Sequence, residues 1–318
     1  MEGCPEYRLR LFLSVDLVGS TAFKSRVGDS RNSTNQRLVW VHVISHFYRE
    51  FPREVTRQFK HFSGSNFLDD NSCPSVWKTV GDEIVFCCRL RDTEHLRVCI
   101  AAFVASLKQY GAHLEQLKHN LDVKASGWVA AFPVPNVTVP IAGRGNDEEF
   151  DELTGERVET DADNSPHEFD FLGKHIDAGF RIAQFARADQ FAVSLELAWL
   201  ISANFRDNFP FLYLGRRELK GVLSGKAYPV VALLCERNDG RRLLLDKEAD
   251  LTSTHRVLKP HQLQDYLNSF MEHEEVEFPY LPVGAGAIGP MTRTPSYEQF
   301  REIWESERIE QAKRKANE

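Results

Sequence analysis

The 318-residue chain is 42% hydrophobic and 27% charged, with 22 Phe and 5 Trp. That is ample for a sizeable core and lies outside the low-hydrophobicity, high-charge range of disordered chains. Lys and Arg number 39 against 46 Asp and Glu, a formal net charge of −7, which disfavours nucleic-acid coating and polybasic membrane binding.

Residues 8–16, RLRLFLSVD, alternate with period two. The pattern predicts a strand with Leu9, Leu11, Leu13 and Val15 on a helix-covered face and Asp16 on the opposite, open face. The turn LVGST leads towards a helix start. Apolar spacing over Leu38, Val41, Ile44, Tyr48, Phe51 and Val55 predicts a helix. The polar segment HFSGSNFLDDNSCPS reads as an insertion loop.

Two β-rich runs within 76–88 flank Gly81 and Asp82, a two-residue hairpin turn with glycine first. A helix over 93–115 and a strand near 121–132 follow. Residues 144–170 hold eleven acidic residues against two arginines, and read as an exposed acidic loop or arm. A helix is expected near 173–188 and strands at 190–194, 211–219 and 227–235. The order within 8–194 predicts an α+β, ferredoxin-like βαββαβ unit with helices on one face of the sheet. A charged helix from Tyr297 to Lys315 ends an extension that begins near 239.

The six cysteines form no CxxC pair, so neither a zinc site nor a disulfide framework is expected. No apolar run nears the roughly 20 residues of a membrane span, and Leu9–Val18 is too short and acidic for a signal peptide. The expectation is a soluble, reduced, cytoplasmic protein.

Asp16 closes a strand, and Asp82 caps a hairpin that lies beside that strand in this topology. Each alone is ordinary turn chemistry. Two carboxylates converging on an open sheet face form a site for Mg²⁺ or Mn²⁺. The backbone N–H groups of Gly19, Ser20 and Thr21 suit phosphate oxygens. Asp177 and Arg181 stand four residues apart on one helix, where they would form a surface ion pair worth about 0.3–0.5 kcal/mol.

Several of these segments, in order, resemble the class III nucleotidyl cyclases over residues 7–235. FLSVDLVGST is similar to the family's first metal motif, which implies Asp16 and the Leu17 carbonyl as metal ligands. KTVGDEIVF is similar to the second, which implies Asp82 as a ligand and Lys78 as a base reader. DFLGKHIDAGFR resembles the segment with a base-reading acid, a ribose-orienting Asn and a transition-state Arg. That match puts Asp170, Asp177 and Arg181 in these places, with Asp where the family has Asn. ELKGVLSGKAYPVVAL resembles the final hairpin, with Lys220 towards the triphosphate.

The resemblance implies a catalytic domain over 1–238, with its acidic arm at about 144–168, and a partly helical C-terminal extension over 239–318. It further implies a homodimer with two composite sites, two Mg²⁺ or Mn²⁺ ions per site, and conversion of a nucleoside triphosphate to the 3′,5′-cyclic nucleotide. A stand-alone domain with LGKHIDAGFR is most similar to the bacterial pyrimidine cyclases of the Pycsar anti-phage system. This implies UTP, then CTP, and a separate effector that reads the product, with no nucleic-acid or membrane partner. Hydrogen-bond logic at Lys78 and Asp170 leaves adenine, cytosine and uracil open. An adenylate cyclase and a catalytically silent, nucleotide-binding regulatory domain are the alternatives. A diguanylate cyclase is disfavoured, because Val80 stands where its signature has a second glycine.

Overall fold

The computed structural model describes residues 4–28, 34–64, 66, 72–141, 155–205, 209–235, 257–283 and 294–316, with positions 243, 244, 247, 250 and 251. An eight-stranded sheet forms its centre. The elements on its first half are β1 (Arg8–Val18), α1 (Ser20–Gly28), α2 (Thr34–Ser63), β2 (Ser75–Val80), β3 (Glu83–Arg89), α3 (Thr93–Gln116) and β4 (Asp122–Phe132). These strands lie in the order β4-β1-β3-β2. With β1 antiparallel to both neighbours, this is the βαββαβ unit that the alternation and the hairpin turn predict.

The other half adds β7 (Gln190–Val193), β8 (Phe211–Glu218), β9 (Ala227–Leu234) and the short edge strand β10 (Val257–Leu258). β7 lies parallel beside β4. Between β4 and β7 the chain forms a two-stranded ribbon of β5 (Asn136–Pro140) and β6 (Phe169–Gly173). It also forms α4 (Gly155–Asn164) and α5 (Lys174–Ile182).

Alternation along β1 assigns its two faces. Leu9, Leu11, Leu13, Val15 and Leu17 join a core with α2 and α3. The buried row of α2 is Val43, Phe47, Phe51, Val55 and Phe59, spaced by four. The sequence reading set that face slightly off, and Val41 is exposed. Helix α3 is capped by Asp92, whose side chain accepts from the His95 amide at 2.8 Å, satisfying a donor the helix leaves unpaired.

On the other face Phe12 joins Trp77, Val85, Trp128, Phe132, Phe169 and Phe171 in a second core. The open face therefore exists only at the Asp16 end. At the Arg8 end the acidic segment departs from the expected exposed loop. Its residues 142–154 lie outside the described residues, while 155–164 form α4 and settle on the sheet. The reason is charge. Arg8 and Arg10 point into this face with no exposed side-chain surface, and buried charges need partners. Arg10 meets Glu159 at 2.8 Å and Asp163 at 2.7 Å, and its guanidinium lies 4.6 Å from the Phe132 ring centre. Arg8 pairs with Glu156 and stands 3.3 Å from Asp163.

In the extension, α7 is α6's packing partner; these are Pro260–His273 and Leu195–Asn204. Leu263, Leu267, Phe270 and Met271 enter the main core, and Trp199 donates to Asn268 at 2.6 Å. A last helix, α8 (Pro295–Ala316), is anchored by Tyr297, which donates to the Pro5 carbonyl at 2.9 Å.

Candidate active site

Strand register builds the polar end of the second face. Asp16 on β1 pairs with Glu83 on β3 and with Lys124 on β4, so three charged side chains form one row across the sheet. Ser14 and Ser126 pair in the next row. These five residues, with Ala125, Ala183, Gln184 and Ala186, line a cavity of about 170 Å³. Lys124 Nζ stands 3.1 Å from Asp16 Oδ2. Ser14 donates to the Glu83 carboxylate, whereas the buried Ser126 hydroxyl has no hydrogen-bond partner among the described residues. Burial pushes the Glu83 carboxyl above its ordinary range. The Ser14 bond opposes this, and the charges of Asp16 and Asp82 push it further up.

Asp82 occupies the β2–β3 turn beside β1, where its carbonyl accepts from the Leu17 amide at 3.3 Å. Its carboxylate accepts from the buried Ser20 hydroxyl at the start of α1, and Lys24 lies 4.0 Å away. The preceding turn depends on Gly19, whose φ is +85° and whose missing Cβ would meet the Asn120 carbonyl at 2.7 Å. Any side chain there is excluded twice over. Thr21 is exposed in the first turn of α1. The fold thus sets Asp16, Leu17, Gly19, Ser20 and Asp82 together at one end of β1.

This donor set fits hard divalent ions. The side-chain donors are carboxylates, and each already has a lysine ammonium nearby, so positive charge is accommodated at both. Among the described residues no group of three or more His, Cys, Asp or Glu side chains is arranged to hold a metal by itself. Mg²⁺ sites commonly combine one or two carboxylates with substrate phosphates.

Lys78 and Asp170 also meet. Lys78 Nζ lies 2.7 Å from Asp170 Oδ1, with both side chains about one-third exposed, and 3.8 Å from the Trp77 ring centre. A β-bulge between Val76 and Lys78 turns Trp77 and Lys78 to the same face. Phe180 adds a ring 5.8 Å from the ammonium.

Asp177 and Arg181 are exposed on α5, whose Gly179 lies against Trp128: a Cβ there would meet the indole at 2.2 Å. Among the described residues neither is held in an ion pair, so the surface pair that their spacing allows does not form. Lys220 is exposed beyond β8, and β9, β7 and β4 separate β8 from β1. One chain does not bring Lys220 to the carboxylates. Among the described residues no helix is long and apolar enough to cross a membrane.

Sequence reading missed Glu83, Lys124, Trp77, Phe180 and the β5–β6 ribbon. The first two were accessible in principle, because extending the alternation across paired strands puts both beside Asp16.

No family model matches the chain, and no curated protein matches it. Solved structures do. The adenylyl cyclase CyaB from P. aeruginosa shares 11% identity over 74% of this chain and 97% of its own, with a TM-score of 0.49. The guanylyl cyclase Cya2 shares 12% over 73% and 94%, with a TM-score of 0.45. The guanylate cyclase domain of RhGC from Catenaria anguillulae, in complex with GTP, shares 11% over 73% and 100%, with a TM-score of 0.44.

Proposed function

We propose that this protein is a nucleotidyl cyclase that converts a nucleoside triphosphate, UTP first and CTP second, to its 3′,5′-cyclic nucleotide and pyrophosphate. The observation that carries this reading is the Lys78–Asp170 pair. Two residues 92 positions apart, drawn from two different motifs, meet at 2.7 Å, on the sheet face that also bears Asp16. A donor beside an acceptor, about one-third exposed and backed by aromatic rings, is suited to one edge of a nucleobase.

The reaction is intramolecular. The ribose 3′-oxygen forms a bond to the α-phosphorus and gives up its proton. The bond from that phosphorus to the bridging oxygen breaks, and pyrophosphate leaves with the electron pair. Asp16, Asp82 and the Leu17 carbonyl would hold two Mg²⁺ or Mn²⁺ ions, which favour the deprotonated hydroxyl and neutralise the leaving oxygens. Gly19, Ser20 and Thr21 offer N–H groups and hydroxyls to phosphate oxygens. Arg181 neutralises charge developing on the phosphoryl group, Asp177 faces the ribose, and Lys220 meets the triphosphate.

Arg181, Asp177 and Lys220 are exposed in the single chain. A head-to-tail homodimer brings them over a partner's carboxylates and yields two composite sites. The product acts as a second messenger in anti-phage defence, read by a separate effector.

Incubation of the purified chain with each of the four nucleoside triphosphates and Mn²⁺, with products identified by mass, tests this. Cyclic UMP or cyclic CMP is the expected product. Cyclic AMP alone overturns the pyrimidine assignment, and no cyclic product from a dimeric preparation overturns the activity.

A further inference from the structure

Lys78 and Asp170 belong to different sheets. Lys78 is on β2 of the eight-stranded sheet and Asp170 is on β6 of the ribbon. A base reader assembled from two sheets works only if something fixes one to the other, because a displacement of about 1 Å costs much of the rate or selectivity of a positioned group. The tie lies one residue before each reader. The indole N–H of Trp77 donates to the Phe169 carbonyl at 2.9 Å, so the neighbours of Lys78 and Asp170 are bonded directly.

Three further observations bear on the same side chain. Trp77 is only 2% exposed. Its ring packs at 5.3 Å from Phe12 and 5.1 Å from Phe171, which locks its orientation. The same ring carries the Lys78 ammonium on its face, a cation–π contact that strengthens as the site is desolvated. Burial in this cluster does not by itself require a partner for the indole N–H: Trp128, stacked on Phe12, has none among the described residues. The Trp77 bond is therefore directed to a particular backbone atom.

We infer that Trp77 is a positioning residue for base selection, holding the Lys78–Asp170 pair at a fixed spacing by bonding β2 to β6 and seating the ammonium. This rests on the cyclase reading above and adds to it the residue that sets selectivity. Loss of the tie widens the range of spacings between donor and acceptor. Wrong bases then gain access that the correct base does not need.

The test compares the wild-type chain with Trp77→Phe and Trp77→Tyr, which keep a ring beneath Lys78 and lose the indole N–H. For each, kcat and KM are measured with the four nucleoside triphosphates and Mn²⁺. The readout is the ratio of kcat/KM for the preferred nucleotide to that for the next, which is independent of the folded fraction in a preparation. The expected result is a fall of at least tenfold in that ratio in both variants, carried by KM. Phe132→Leu thins the same cluster and leaves the bond and the Phe12 and Phe171 rings around Trp77 in place, and is expected to lower Tm and leave the ratio unchanged. A ratio within twofold of wild type in the Trp77 variants, or a loss in kcat equal for all four nucleotides, overturns the role of Trp77 and leaves the activity standing. A wild type that cyclises none of the four overturns the activity and the inference with it.

Discussion

Lys78 Nζ and Asp170 Oδ1 lie 2.7 Å apart across the boundary between the eight-stranded sheet and the β5–β6 ribbon. In the absence of substrate each neutralises the other. On the proposed reading, a base that enters exchanges this contact for its own acceptor and donor. Replacing one partner leaves the second aimed at nothing. Lys78→Met or Asp170→Asn is accordingly expected to lower kcat/KM for the preferred triphosphate by roughly 10–150-fold, the equivalent of the about 1.5–3 kcal/mol carried by a hydrogen bond to a charged group. The loss falls mainly on KM, and steady-state kinetics with the two best substrates measures it.

Asp82 faces Ser20 and Lys24 from a hairpin turn and contributes little to the core. Asp82→Ala is expected to abolish turnover while Tm stays within a few degrees of wild type, read by product mass and circular dichroism together. Activity that survives this change removes Asp82 from the metal site.

Arg10 is the opposite case. Its guanidinium is wholly buried between Glu159 and Asp163 and plays no part in the proposed chemistry. Arg10→Met strands part of that negative charge in a water-poor interior, for which about 3–5 kcal/mol is the usual loss. Urea unfolding with an unchanged m-value is the measurement. A change below about 1 kcal/mol contradicts the view that charge pairing fastens α4 to the sheet.

Acid sensitivity is expected at His175, where α5 meets the ribbon. The Asn136 side-chain amide stands 2.9 Å from its Nδ1, a contact suited to the neutral imidazole. Burial holds this imidazole below its ordinary value of 6.5. With the folded value depressed, the unfolded chain binds more protons just below pH 6.5, and stability falls as pH drops through that window before levelling off. Tm measured from pH 7.5 to 5 is expected to decline more steeply for wild type than for His175→Gln. Parallel curves contradict the assignment.

Much of this arrangement was legible in the chain because it is written in period and turn chemistry. Alternation in RLRLFLSVD fixed the faces of β1, and glycine-first Gly81-Asp82 fixed the hairpin, which together position both carboxylates. What escaped depends on contacts distant in sequence. The charge of segment 144–170 suggested exposure, and only the placement of Arg8 and Arg10 on the buried half of β1 explains why its helical part packs inward. Trp77 turns beside Lys78 because of a bulge that has no glycine or proline to announce it. The ribbon strands are short, and the exposure of Val137 and Leu172 blurs their pattern.

The central claim is that carboxylates from one chain and Arg181 from another complete each site. Mixing Asp82→Ala with Arg181→Ala, each expected to be inactive alone, tests it most directly. Random exchange of subunits makes half the dimers mixed, each with one intact site of two, so about a quarter of wild-type cyclic-nucleotide formation returns. A mixture that exchanges subunits yet stays as inactive as its components would show that the groups do not act across two chains.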